Sequence, residues 1–246
     1  MTGTKVFERP KALSDIQHSY CAGCLHGVMH RIVAEVIDEM GLLENTVGVC
    51  PVGCSVFMYD YMSCDMIEAS HGRAPAVATG VKRMLPDKFV FAYQGDGDLA
   101  AIGTAETVHA AARGENISVI FINNGTYGMT GGQMAPTTIV GEKRTTCPKG
   151  RDPKTAGYPI KVCELLATLD GPSYITRVAP VSAAGINQTK MAVKKAFQNQ
   201  LDGKGFSFVE VLSNCPTHWK MKPIETFKWI EETATVHFPL GVFVDR

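Results

Sequence analysis

A chain of 246 residues, 45% apolar and 20% charged, can bury one large core, and it reads as a single domain over 1–246. Its 24 basic and 24 acidic residues cancel, so no net field favours nucleic acid or an anionic membrane as partner. No uncharged apolar run reaches the roughly 18–20 residues that span a bilayer, and the opening MTGTKVFERPKALSD lacks the apolar centre of a signal peptide, so a cytoplasmic protein is expected.

In chain order, a helix is predicted over 24–40, where Val28, Ile32, Val33, Val36, Ile37 and Met40 recur at three- and four-residue intervals on one face. Short apolar runs predict strands over 46–49 and 66–69, then a helix over 75–85, a strand over 89–93, a helix over 99–113 and a strand over 117–122. The segment 134–157, MAPTTIVGEKRTTCPKGRDPKTAG, has no apolar period and many turn formers. A loop this long in a compact domain is either functional or disordered, and we expect it to meet a partner chain. A helix over 159–169, a strand over 174–178, a helix over 183–201, a strand over 206–212 and a helix over 223–233 follow. No repeat or low-complexity tract marks a linker. Strands alternating with helices predict an α/β fold, a parallel sheet flanked by helices on both faces, in which ligands bind beyond the carboxyl ends of the strands.

Two polar signatures fall at such ends. After strand 89–93, Gly95-Asp96-Gly97-Asp98 makes a tight turn before a helix N-terminus, a place suited to phosphate. A carboxylate beside a phosphate needs a bridging cation, and Mg²⁺ takes oxygen ligands from side chain and phosphate alike. Asn123-Asn124-Gly125-Thr126 closes the next strand and offers an amide oxygen and a backbone carbonyl. A lone GDG is an ordinary turn. GDG at a strand end, followed by helix, strand and NN, resembles the thiamine diphosphate motif. That resemblance implies Mg²⁺ held by Asp96, the Asn124 side chain and the Thr126 carbonyl, with Gly97 and Asp98 meeting the diphosphate through their backbone. Tyr127, Gly128, Met129 and Thr130 would lie under the cofactor toward the thiazolium, and His71, Gly72 and Arg73 would form a third wall, with a solvated loop as the rival reading for Arg73.

Eight cysteines are many for a reducing compartment, so some are expected to bind metal. Cys21-Ala22-Gly23-Cys24 has a spacing shared by zinc sites, iron-sulfur sites and redox dithiols, and further ligands could come from Cys50, Cys54 or Cys215. Cys147 lies in the long loop; Cys64 and Cys163 have apolar neighbours and read as small buried residues.

Four blocks carry a wider resemblance, running from about Phe7 to the C-terminus: YCAGCLHG, VGCS with HGRAPAVATG, QGDGD through NNGTYGMTGGQ, and NCPTHW. The chain resembles the β, thiamine-diphosphate-binding subunit of the 2-oxoacid:ferredoxin oxidoreductases, most like the 2-oxoisovalerate and 2-oxoglutarate group. The resemblance implies one [4Fe-4S] cluster on Cys21, Cys24, Cys54 and Cys215, leaving Cys50 out. Ala22 and Leu25 depart from commoner family residues without removing a ligand. The implied reaction joins a 2-oxoacid, CoA and oxidised ferredoxin to give acyl-CoA, CO₂ and reduced ferredoxin. The carboxylate that activates the aminopyrimidine is expected on an α subunit carrying the pyrimidine domain, with γ and δ subunits as further partners; Glu106, inside a predicted helix, reads as structural. After Cys54-Ser55, the apolar Val56, Phe57 and Met58, with Met129, lean toward a branched-chain 2-oxoacid such as 2-oxoisovalerate over 2-oxoglutarate. Two rival classes are a non-redox thiamine enzyme with structural zinc and a zinc-stabilised interaction subunit without chemistry.

Overall fold

The computed structural model describes residues 8–246; residues 1–7, which hold part of the opening segment and the start of the family match at Phe7, lie outside the described residues. The strands are β1 (Thr46–Cys50), β2 (Asp65–Glu68), β3 (Phe89–Gly95), β4 (Ser118–Asn123), β5 (Thr126–Tyr127), β6 (Gln133–Met134), β7 (Pro172–Val178), β8 (Phe206–Leu212) and β9 (Gly241–Asp245). The helices are α1 (His26–Glu39), α2 (Met58–Tyr61), α3 (Ala74–Met84), α4 (Thr104–Ala112), α5 (Pro153–Ala156), α6 (Val162–Ala167), α7 (Ala183–Leu201), α8 (Pro216–Trp219), α9 (Pro223–Trp229) and α10 (Thr235–His237).

Seven strands form one sheet in the order β2-β1-β3-β4-β8-β7-β9, parallel throughout except for β9. The buried strands explain why short apolar runs were informative: a parallel sheet covered on both faces needs apolar side chains in both directions. Along β3, Phe89, Phe91 and Tyr93 face the α1 and α7 side with Met29, Val33 and Phe197. Val90 and Ala92 face the α3, α4 and α6 side with Ala78, Ala110 and Leu166. A third cluster, with Leu25, Leu212, Ile230 and Phe238, seats the C-terminal helices beside the carboxyl ends of the strands.

Several elements differ from expectation. The edge strand β2 is one residue earlier than predicted and mostly exposed. The predicted helix 99–113 divides into a π-helical turn, Asp98–Ile102, and α4, with Gly103 between them. A side chain at 103 would meet the backbone carbonyls of Asp98 and Gly72, each 2.7 Å from the added carbon, so the break lets two loops touch. The predicted helix 159–169 shortens to α6, and the last one continues past α9 as a π turn over Ile230–Ala234. Strand β9 was not anticipated; it pairs antiparallel with β7 and covers that sheet edge.

The long loop is neither disordered nor featureless. Arg151, buried, donates from Nη1 to the carbonyls of Pro136 (2.8 Å) and Thr138 (2.7 Å), and from Nη2 to those of Ala156 (3.0 Å) and Tyr158 (2.8 Å). One guanidinium therefore ties both ends of the loop together, using the rigid donor fork that lysine lacks. Among the described residues no helix is long and apolar enough to cross a membrane.

Candidate cofactor and cluster site

The carboxyl ends of β1, β3, β4 and β8 converge on two adjoining cavities. The first, about 130 Å³, is lined by residues that include Val52, His71, Asp96, Asp98, Asn124 and Thr126, with Tyr127, Gly128, Met129 and Thr130 along one side. Asp96 is buried. Its Oδ1 accepts from the Gly97 N–H at 2.8 Å, and its Oδ2 accepts from the Thr137 hydroxyl at 2.7 Å. Burial pushes its carboxyl up to about 6, and a cation beside it would favour the ionised form. Asn124 stands on the neighbouring strand end, its Oδ1 accepting from Thr126 N–H at 3.1 Å and its carbonyl from the Trp219 indole at 3.1 Å. Asp96, Asn124 and Thr126 line this one cavity, and a carboxylate oxygen, an amide oxygen and a backbone carbonyl are the hard donor types that suit Mg²⁺.

Gly97 allows the floor of this cavity to close. A Cβ there would lie 2.3 Å from the Tyr127 ring, so the ring packs directly on the bare backbone of the GDG turn. Asp98 has a role that its position in the motif does not disclose. Its Oδ1 accepts from Val52 N–H (3.2 Å), Gly72 N–H (2.9 Å) and the His71 imidazole, while Oδ2 accepts from the Gln94 amide (2.6 Å). The side chain thus ties the loops after β1, β2 and β3 together. His71 lies on the cavity wall as expected, with Nδ1 committed to Asp98.

Gly72 and Arg73 do not line the cavity. Gly72, at φ +77°, packs under the Ile102–Gly103 backbone, where a Cβ would come within 2.6 Å of the Gly103 nitrogen. Arg73, its side chain partly exposed to solvent, pairs with Glu106 at 2.5 Å and donates to the Ile102 carbonyl, so Glu106 is occupied structurally.

The second cavity, about 140 Å³, is lined by Cys21, Cys24, Cys54 and Cys215 together with Tyr20, His26, Phe57, Asn124, Gly128, Met129, Asn214 and His218. Cys50, at the end of β1, is fully buried in the α1-side core and takes no part. Cys163 is buried as its apolar neighbours suggested, whereas Cys64 and Cys147 are partly exposed. Three distant segments bring the four thiols together. Asn214, next to Cys215, accepts from Leu25 N–H at 3.0 Å, donates to the Gly23 carbonyl at 3.0 Å and donates to the Thr226 hydroxyl at 2.7 Å, so it grips both sides of Cys24. Among the described residues no three His, Cys, Asp or Glu side chains lie close enough to hold a single ion. Burial pushes the Cys24 thiol up to about 12 and Cys54 up to about 11, so these soft donors ionise only beside a compensating cation.

The two cavities share His26, Cys54, Asn124, Gly128 and Met129 in their linings. Gly128 stands at the junction: a Cβ there would be 3.0 Å from the Cys54 sulfur and 3.6 Å from the Cys215 sulfur. His26 is buried, accepts or donates at Nδ1 with the Tyr93 hydroxyl at 2.8 Å, and stacks on Tyr20; burial lowers it to about 4, so it is neutral at neutral pH. Sequence reasoning assigned no role to His26, Asn214, Thr137 or Arg151. His26 and Asn214 stand inside the quoted cysteine blocks, where position could have flagged them. Thr137 and Arg151 had no such signal, because the loop that carries them has no periodicity.

Comparison with known proteins bears on the family and the fold. Residues 51–211 match the family model for the thiamine pyrophosphate enzyme, C-terminal TPP binding domain. The chain is 49% identical over 98% of its length to the ketoisovalerate oxidoreductase subunit VorA of Methanothermobacter thermautotrophicus, covering 50% of that protein. It is 37% identical over 89% of its length to the 2-oxoglutarate synthase subunit KorB of Methanocaldococcus jannaschii, covering 79% of that subunit. The chain thus spans about half the length of the ketoisovalerate subunits it matches. Its fold superposes with a TM-score of 0.77 at 22% identity on a 2-oxoglutarate:ferredoxin oxidoreductase from Magnetococcus marinus with 2-oxoglutarate, coenzyme A and succinyl-CoA bound, over 100% of this chain and 87% of that one. On sequence and fold together, the chain belongs to the family of 2-oxoacid:ferredoxin oxidoreductase subunits that carry the thiamine pyrophosphate-binding domain.

Proposed function

We propose that this chain works as the β subunit of a 2-oxoacid:ferredoxin oxidoreductase, binding thiamine diphosphate with Mg²⁺ on Asp96, Asn124 and the Thr126 carbonyl, and one [4Fe-4S] cluster on Cys21, Cys24, Cys54 and Cys215. The observation that carries this reading is the shared wall: five residues border both the oxygen-lined and the thiol-lined cavity, so whatever each holds is adjacent to the other. A non-redox thiamine enzyme has no use for that adjacency.

Thiamine diphosphate supplies a carbon nucleophile and an electron sink for loss of CO₂, and a cluster takes electrons one at a time. The chain's own residues do the positioning. Asp96 and Asn124 fix the metal-diphosphate end, Tyr127 closes the floor against Gly97, and the Asp98 hub keeps the three surrounding loops from opening. Met129, half exposed, lines both cavities, and no Lys or Arg lines the cofactor cavity among the described residues, which supports an apolar, branched-chain 2-oxoacid. Phe57 borders the thiol cavity, whereas Met58 is buried in the core and drops out of the substrate argument. The activating carboxylate comes from an α subunit with a pyrimidine domain, and CoA and ferredoxin complete the reaction in the cytoplasm.

The test is anaerobic purification with the partner subunit, followed by iron and sulfide analysis, absorption spectroscopy and assay with 2-oxoisovalerate and 2-oxoglutarate. About four irons per chain with matching sulfide and CoA-dependent reduction of ferredoxin are expected, faster with 2-oxoisovalerate. One zinc per chain and a colourless protein would overturn the redox reading. Turnover by this chain alone would overturn the need for a partner.

A further inference from the structure

We propose that Thr137 is a positioning residue for the metal site, and that the turn 135–138 acts as a bracket holding the two strand ends that supply the metal ligands. This inference rests on the magnesium-diphosphate reading above and adds a residue from a loop that the motif does not include.

The hydroxyl of Thr137, 1% exposed, donates to Asp96 Oδ2 at 2.7 Å, and Asp96 is itself 2% exposed. Asp96 Oδ1 is held by the adjacent Gly97 N–H, so the two oxygens are fixed by donors from different parts of the chain. A carboxylate held at both oxygens has little torsional freedom, and its remaining lone pairs keep one direction toward the cavity. The next residue repeats the device on the other strand end. The Thr138 hydroxyl donates to the Gly125 carbonyl at 2.7 Å, in the same turn as Asn124 and Thr126, and the Arg144 guanidinium donates to that carbonyl at 2.9 Å.

The bracket is anchored independently of any ligand. Arg151 grips the carbonyls of Pro136 and Thr138 on either side of Thr137, and the Ala135 N–H donates to the Thr138 hydroxyl at 2.9 Å. Thr137 therefore cannot follow Asp96 if the carboxylate rotates; the loop sets where the carboxylate points. Removing the hydroxyl would take away the side-chain donor that the loop supplies to Asp96, leaving the carboxylate to the backbone N–H groups of Gly97, Gly125 and Thr126 and looser in its direction toward the metal.

The experiment uses the complex with its partner subunit, stripped of divalent ions and then titrated with Mg²⁺ at saturating thiamine diphosphate, with cofactor binding read by circular dichroism and calorimetry. Thr137→Val preserves shape and removes the donor. It should weaken Mg²⁺ binding roughly 10-fold, the size of one hydrogen bond to a charged acceptor, and lower the metal-free melting temperature by about 2–6 °C, while Thr137→Ser restores both. If Thr137→Val does not fold, Thr137→Ala against Thr137→Ser gives the same comparison. Equal Mg²⁺ affinity in wild type and donor-free variant would overturn the inference, as would a lower melting temperature with unchanged affinity, which marks a purely structural contact. If the wild-type complex binds no Mg²⁺-thiamine diphosphate at all, the functional reading falls and this inference with it.

Discussion

The oxygen-lined and thiol-lined cavities share a wall but are built in opposite ways. The first draws its principal groups from two neighbouring strand ends, Asp96 after β3 and Asn124 after β4, joined by one helix and one strand. The second collects thiols from three remote places, residues 21 and 24, residue 54 and residue 215. In the first, the backbone register of a parallel pair places the oxygen-bearing side chains. In the second, a single buried amide, Asn214, does much of that work by gripping the chain on both sides of Cys24. A site made from adjacent strand ends inherits its precision from the sheet, while one assembled across the chain depends on a few tertiary hydrogen bonds.

The largest expected effect separates the two cavities outright. Asp96→Ala removes the carboxylate proposed to bind the metal in the first cavity and should weaken Mg²⁺-thiamine diphosphate binding by more than about 100-fold, the cost of taking away a buried charged partner. Iron content should stay at the wild-type level. Calorimetry beside iron analysis checks both, and parallel loss of iron would break the idea that the cavities are constructed independently.

The same carboxylate gives a pH signature. Its pKa in the folded protein is raised to about 6 by burial. Between roughly pH 4 and 6 the metal-free native state therefore holds a proton that the unfolded chain has released, and stability falls as pH rises through that window, by on the order of 3 kcal/mol from this group. Mg²⁺ needs the ionised form, so its stabilising effect should grow over the same range. Melting curves from pH 4.5 to 7.5, with and without Mg²⁺ and cofactor, test this; Asp96→Asn should flatten the metal-free slope. A wild-type slope equal to that of the variant would remove Asp96 as its source.

Asn214→Leu probes the other design. Leu25 N–H, the Gly23 carbonyl and the Thr226 hydroxyl would all lose a partner, but Gly23 is exposed and the Thr226 hydroxyl still donates to the Pro223 carbonyl, so the buried Leu25 N–H carries the main cost, about 1–3 kcal/mol. We expect iron per chain to fall to less than half, with thiamine diphosphate affinity changed no more than about threefold, since none of the three partners of Asn214 lines the oxygen-lined cavity. Full iron occupancy in this variant would mean that the cysteines find their geometry without the clamp.

The same contrast explains what could be read in the sequence. The parallel sheet was legible because its central strands are uniformly apolar, and the GDG and NN turns were legible because their spacing is set by one helix and one strand. Cys215 was one of three candidates to join Cys21 and Cys24, placed at a strand end, and only family resemblance chose it and Cys54 over Cys50, since no local pattern encodes the Asn214 link. Strand β9 was missed because GVFVD looks like a fraying terminus until β7 presents an edge to cover. The long loop was placed at a partner surface because nothing periodic marks it, yet its order comes from Arg151 bonding to carbonyls, a pattern that leaves no trace in hydrophobic spacing. Thr137 reaches Asp96 only through that folded loop.

The smallest expected effect falls on the shared wall and is the sharpest test of adjacency. Gly128→Ala places a methyl 3.0 Å from the Cys54 sulfur and 3.6 Å from the Cys215 sulfur, a crowding that a shift of a few tenths of an ångström relieves. Overpacking of this kind typically costs 1–3 kcal/mol. Because Gly128 borders both cavities, that cost should divide between them: a change in the visible spectrum and midpoint potential of the iron-sulfur group, together with a roughly 2–5-fold weaker thiamine diphosphate affinity. Electrochemistry and calorimetry on one preparation measure both. A change confined to either cavity would show that the wall transmits nothing between them, and adjacency would then be an accident of packing rather than the route by which electrons leave the cofactor.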